Sequence, residues 1–124
     1  MSLNKVLLIG NLGSDPEIRY TQAGKPVANF RVATNLRFKR EGELCQETEW
    51  FSVVAFGRLA EVCSEFLKKG KSVFIEGRMR TRNWVDAQGG KHYRTEVIAQ
   101  MLTMIGRRNG EPPAAATPPE EEPF

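Results

Sequence analysis

The chain has 124 residues, 40% hydrophobic and 27% charged, which is one domain's worth of material with a modest core. Residues 1–110 hold all 18 basic and 11 acidic side chains, a net +7, while residues 111–124 hold four Glu and no cation, a net −4. A basic body with an acidic end points to a polyanionic partner, and the first apolar run, Val6 to Ile9, is too short for a signal-peptide core or a membrane span.

In chain order, Lys5 to Asn11 reads as a strand that ends at the turn Gly13-Ser14-Asp15-Pro16. Gly24-Lys25-Pro26 precedes a second strand, Val27 to Asn35, in which Ala28, Phe30, Val32 and Thr34 alternate with Asn29 and Arg31. A polar stretch, Arg37 to Glu43, has Gly42 as a hairpin tip. Thr48 to Gly57 is a third strand, rich in β-branched and aromatic residues. The period then changes: Leu59, Ala60, Val62, Cys63, Phe66 and Leu67 follow helical spacing, with Lys68 and Lys69 in the expected last turn and Gly70 as the stop. Ser72 to Trp84 and Lys91 to Ile105 are the fourth and fifth strands, joined by the turn Asp86–Gly90. The order predicts an all-β, five-stranded oligonucleotide-binding (OB) barrel with one α-helix between strands three and four, spanning residues 1–107. Residues 108–124 read as a disordered, Pro-rich acidic tail, because five of the seven prolines lie in the last fourteen residues and Phe124 is their one large apolar side chain.

The fourth strand carries the strongest chemical signal. Arg78, Arg80, Arg82 and Trp84 share one face if the strand stays regular, so three guanidiniums and an indole line up to track phosphates and stack a base. Charges alone could mark a solvated edge, but that leaves the indole unexplained. In the third strand, Trp50, Ser52, Val54 and Phe56 share a face opposite to Phe51, Val53 and Ala55. At ~3.3 Å per residue Trp50 and Phe56 stand about 20 Å apart, which suits two separate contacts on one strand of nucleic acid, although the third strand taken alone reads better with these rings filling the barrel, as most strand aromatics do. Phe38, set among Arg37, Lys39 and Arg40, is poor core material and fits a hairpin arm that stacks a base between phosphate contacts. Arg31, Lys91 and Arg94 complete the cation candidates.

Catalysis finds no support. His92 alone cannot complete a nucleophile–His–acid set, and with Cys45 and Cys63 it makes no zinc site. Gly70-Lys71-Ser72 lacks the first glycine of a phosphate-binding loop, because that place is Glu65. Glu47 and Glu49 read as solvated or salt-bridged rather than as metal ligands. No enzyme activity, cofactor or metal is expected, and the cysteines read as reduced cytosolic thiols.

Asn4 to Tyr20 (NKVLLIGNLGSDPEIRY) resembles the opening of bacterial single-stranded DNA-binding proteins. Val27 to Thr34, Thr48 to Gly57, Leu59 to Val62 and Gly77 to Trp84 resemble the same family, so that the likeness covers about residues 3–106 in continuous order. The resemblance implies an OB fold that binds single-stranded DNA without strong sequence preference. It also implies a cytoplasmic, nucleoid-associated homotetramer acting in replication, recombination and repair. The four stacking aromatics implied are Phe38, Trp50, Phe56 and Trp84, the same four that the residues themselves suggested. Phe38 stands where many members have Trp, and Phe51 where a His near subunit contacts is common. Glu120, Glu121, Glu122, Pro123 and Phe124 resemble the family's acidic tip, which implies recruitment of replication and repair proteins, although the linker is short and Glu replaces Asp. An RNA-binding OB module and a protein-binding barrel remain the rival expectations; an RNA reader would exploit the 2′-hydroxyl.

Overall fold

Alternation of apolar and polar side chains lets a strand bury one face, and it organises most of this chain. The computed structural model describes residues 1–106. It contains β1 (Val6–Leu12), β2 (Glu17–Tyr20), β3 (Pro26–Arg40), β4 (Glu43–Phe56), α1 (Arg58–Phe66), β5 (Ser72–Val85) and β6 (Lys91–Ile105). The strands pair in the order β1-β5-β6-β4-β3-β2, and a further pairing of β1 with β3 (Asn11 with Ala33, Leu12 with Val32) joins the sheet to itself. Five strands therefore close into a barrel, with the helix between the third and fourth of them in chain order. This is the expected OB architecture. The expected tail, with its Glu120–Phe124 tip, lies outside the described residues.

The alternation resolves as anticipated. Ala28, Phe30 and Val32 from β3, Val53 and Ala55 from β4, and Val73 and Ile75 from β5 are buried in one core with Leu8, Leu12, Val97 and Ala99. Phe51 packs against it from the partly buried margin. The helix contributes Ala60 and Cys63, and Leu67 follows directly behind it. Burial pushes the Cys63 thiol up to about 11, so it stays protonated at neutral pH.

Three expectations need correction. The segment 17–20, which the five expected strands leave unassigned, forms β2 because Glu17 to Tyr20 pair antiparallel with Asn29 to Pro26 and tuck Ile18 against the core. The expected strand limits at Asn35 and Thr48 fall short of the hairpin arm: β3 and β4 pair without interruption from Val27–Phe56 to Arg40–Glu43, and only Glu41 and Gly42 turn the chain. Both have positive φ, 53° and 82°, as a two-residue hairpin loop of the mirror-image kind requires. Lys68 and Lys69 lie beyond the helix rather than in its last turn. Leu67 is already extended (φ −93°, ψ 140°) as it enters the core, the Lys69 N–H donates to Asp15 Oδ1 at 2.8 Å, and Gly70 turns with φ 90°.

One irregularity places the site. Glu76 pairs with Met101 but Gly77 pairs with Ala99, so the ladder steps over Gln100 in β6. The extra residue belongs to β6, and β5 keeps its two-residue period throughout. On β6 the core-facing set switches from Val97 and Ala99 to Leu102 and Met104 across the bulge.

Candidate nucleic-acid interface

Because β5 stays regular, Arg78, Arg80, Arg82 and Trp84 do share a face, opposite to Val73, Ile75 and Gly77. Their partners across the ladder are Ile98, Glu96, Arg94 and His92. On the same side of the barrel β4 presents Trp50, Ser52, Val54 and Phe56, and β3 presents Asn29, Arg31 and Ala33 opposite Val54, Ser52 and Trp50. The parallel pairing of Val54 with Ile98 joins the two halves. The result is a groove of about 490 Å³ whose lining includes Arg31, Ser52, Phe56, Arg80, Arg82 and Arg94.

The rings in and beside this groove are accessible. Trp50 is 47% exposed, Phe56 44% and Trp84 39%, values far above those of the core aromatic Phe30 at 4%. Each candidate ring has a guanidinium beside it. The guanidinium carbon of Arg31 lies 4.8 Å from the Trp50 ring centroid, that of Arg82 4.9 Å from Trp84, that of Arg40 5.5 Å from Phe38 and that of Arg80 5.9 Å from Phe56. Cations at these distances are drawn to the negative ring face, and a planar guanidinium there occupies the place a stacked base would take.

The remaining cations sort by strand parity. Arg37 and Lys39 lie on the Trp50 face of the β3–β4 arm, whereas Phe38 and Arg40 lie on the opposite face, since the ladder has no register shift between them. Phe38 is therefore not coplanar with the Trp50–Phe56 row. It offers a second side of the arm to a strand passing around it. Lys91 pairs with Val85 and so sits on the face of the β5–β6 ribbon away from Trp84. Arg94 donates from Nη2 to Ser52 Oγ at 2.8 Å, which ties β6 to β4 across the groove.

Several groups at the site were not anticipated. Glu96 is buried at 4% exposure, with Oε1 accepting from Arg80 Nη2 at 3.1 Å and Oε2 lying 3.5 Å from Arg82 Nη2. The alternation of β6 could have flagged it as the acid on a cationic face. Arg80 Nε is shielded from solvent without a hydrogen-bond partner. His92 stacks on Trp84, and its Nε2 lies 2.7 Å from Asp86 Oδ2. That contact, with the Gly90 and Gln88 N–H groups donating to Asp86 Oδ1, holds the Asp86 carboxyl below the usual carboxylate range. Gly13 lies under the Trp50 ring: a methyl group there would stand 2.4 Å from the ring edge.

No group of three or more potential metal ligands occurs among the described residues. Residues 3–105 match the model of the single-strand binding protein family. The chain belongs to that family. Among its members, Single-stranded DNA-binding protein 1 of Xylella fastidiosa (strain 9a5c) is 50% identical over 109 residues, covering 86% of this chain and 80% of that protein. The Plasmodium falciparum SSB, solved in complex with ssDNA, matches with a TM-score of 0.78 at 31% identity over 85% of this chain and 97% of its own. Family membership accounts for the barrel and for the order of its elements.

Proposed function

We propose that this protein binds single-stranded DNA without sequence preference and performs no catalysis. The observation that carries this reading is the set of four accessible or half-buried rings, each with a guanidinium 4.8 to 5.9 Å away, distributed over one basic groove and its adjoining arm. Bases stack on Trp50, Phe56, Trp84 and Phe38, which is sequence-tolerant because every base has a π face and contributes about 1–3 kcal/mol per base. Phosphates follow Arg31, Arg37, Lys39, Arg40, Arg78, Arg80, Arg82, Lys91 and Arg94. Duplex DNA binds poorly because its bases are already stacked and paired. The names of the Xylella and Plasmodium relatives support the same ligand.

The setting follows from the ligand. Exposed single strands arise in replication, recombination and repair, and a cytoplasmic, nucleoid-associated protein of this kind would protect and organise them. A homotetramer is supported by an outward apolar patch, Leu7 and Ile9 of β1 beside Phe74 of β5 and Met101 of β6, away from the groove. Joining several grooves lets one strand wrap them at high effective concentration. Glu120–Phe124 recruits partner proteins through its charge and terminal ring, a role supported by the contrast between acidic end and basic body.

Tryptophan quenching by oligo-dT of increasing length, at two salt concentrations and with mass read by light scattering, tests the whole reading. Saturable quenching and a salt slope near −0.7 per neutralised phosphate are expected. Absence of quenching would remove the stacking mechanism, and preference for oligo-rU would reassign the protein to RNA. Deleting residues 117–124 should preserve or raise DNA affinity while abolishing capture of partner proteins.

A further inference from the structure

Glu96 is the one charged or polar residue buried among the described residues. A carboxylate taken out of water loses hydration, and one placed where a polyanion is to lie also repels it. Both oxygens are engaged, Oε1 with Arg80 at 3.1 Å and Oε2 with Arg82 at 3.5 Å. The same two guanidiniums face Phe56 and Trp84 at 5.9 and 4.9 Å. One carboxylate thus sets two cations beside two stacking platforms, while Arg80 Nε keeps an unmet donor.

We propose that Glu96 is a positioning residue that makes the groove select strands carrying bases over bare polyanions. The proposal rests on the single-stranded DNA reading above. A bare sugar–phosphate chain has to draw Arg80 and Arg82 from Glu96 and gains nothing from the rings. A base-bearing strand stacks on Phe56 and Trp84, moves the guanidiniums off the ring faces, and brings phosphates within reach of donors that include Arg80 Nε. Discrimination of this kind works by penalising the competitor as much as by favouring the ligand.

The test compares full-length wild type with Glu96→Gln, using oligo-dT and an abasic oligomer of equal length, by fluorescence anisotropy at three salt concentrations. In Glu96→Gln the affinity for the abasic oligomer should rise about tenfold or more. Its salt slope should steepen by about 0.7 per phosphate newly held. Affinity for oligo-dT should rise less than affinity for the abasic oligomer, because lost positioning of the two guanidiniums offsets the added positive charge, so the ratio of oligo-dT to abasic affinity falls. Adding Arg80→Gln should lower abasic binding again. A general loss of structure would weaken both ligands and would not steepen the slope. If Glu96→Gln does not fold by circular dichroism, Glu96→Asp, which withdraws the carboxylate by one methylene, is read the same way with a smaller change in ratio. An unchanged ratio of oligo-dT to abasic affinity in the folded variant overturns the proposal. Failure of wild type to bind oligo-dT overturns the functional reading instead, and the proposal with it.

Discussion

Trp84 stands directly across the β5–β6 ladder from His92, with ring centroids 5.3 Å apart and planes within 16° of parallel. Arg82, two residues earlier on the same face, brings its guanidinium to 4.9 Å from the same indole. The indole is therefore held upright by its neighbours before any ligand arrives, which lowers the ordering cost of stacking. Trp84→Ala should weaken oligo-dT binding by about 1–3 kcal/mol, roughly 5- to 150-fold. His92→Ala should change it by less than about threefold, because the imidazole supports the ring without being the platform. Fluorescence titration with oligo-dT reads both, and an unaffected Trp84→Ala would exclude this indole from the track.

Gly13 and Trp50 give a test that separates binding from folding. A Cβ at Gly13 would lie 2.4 Å from Cζ3 and 2.7 Å from Cη2 of Trp50, so the ring has to move. With the ring 47% exposed it can swing toward solvent. Gly13→Ala should shift stability by no more than about 0.5 kcal/mol. Oligo-dT affinity should fall about threefold or more as the platform is displaced. Urea unfolding and oligo-dT titration on the same sample distinguish the two effects.

Gly77 presents the opposite case. A Cβ there would meet the Ile98 carbonyl oxygen at 2.0 Å and Ala99 Cα at 3.1 Å, backbone atoms that cannot turn aside. The close approach occurs where the β5–β6 register steps over Gln100. Gly77→Ala should destabilise the barrel by at least about 1–3 kcal/mol. The urea midpoint should drop accordingly, and a midpoint unchanged within error would refute the packing argument.

The Asp86 turn makes stability pH-dependent. His92, with the Gly90 and Gln88 N–H groups, holds the folded carboxyl below its ordinary value. The folded state then binds that proton less readily than the unfolded chain, for which the pKa is about 3.9. Its contribution is present above that unfolded value and is lost as pH falls through the lower folded one. Asp86→Asn should therefore differ from wild type most at neutral pH, with the gap in urea midpoint closing in acid. The carboxylate is solvent-exposed, so the gap should be small, and one that widened in acid would reverse the sign and reject the pairing.

Much of the architecture was legible because its causes are local. Ala28, Phe30 and Val32 alternate with polar neighbours and are buried where that alternation puts them. The 3.6-residue spacing around Ala60 and Cys63 marks the helix, and Gly42 marks the hairpin tip. β2 escaped notice because four residues, Glu-Ile-Arg-Tyr, carry too little pattern to be told from a loop. The length of the β3–β4 arm escaped because its charged residues look like a turn, whereas cross-strand pairing alone satisfies its backbone. Helical spacing carries Lys68 and Lys69 into a last turn, but Leu67 leaves the helix to reach the core.

The residue types that could hold a nucleic acid, and their two-residue spacing along β4 and β5, are properties of the sequence by itself, since side-chain chemistry and strand period travel with the chain. The tertiary structure alone decided which of them meet. Arg80 finds Glu96, Gly13 finds the Trp50 ring, and Phe38 turns away from the Trp50 face. Those outcomes depend on strand register, on a bulge at one residue and on barrel closure, which are set by packing between segments far apart in the chain.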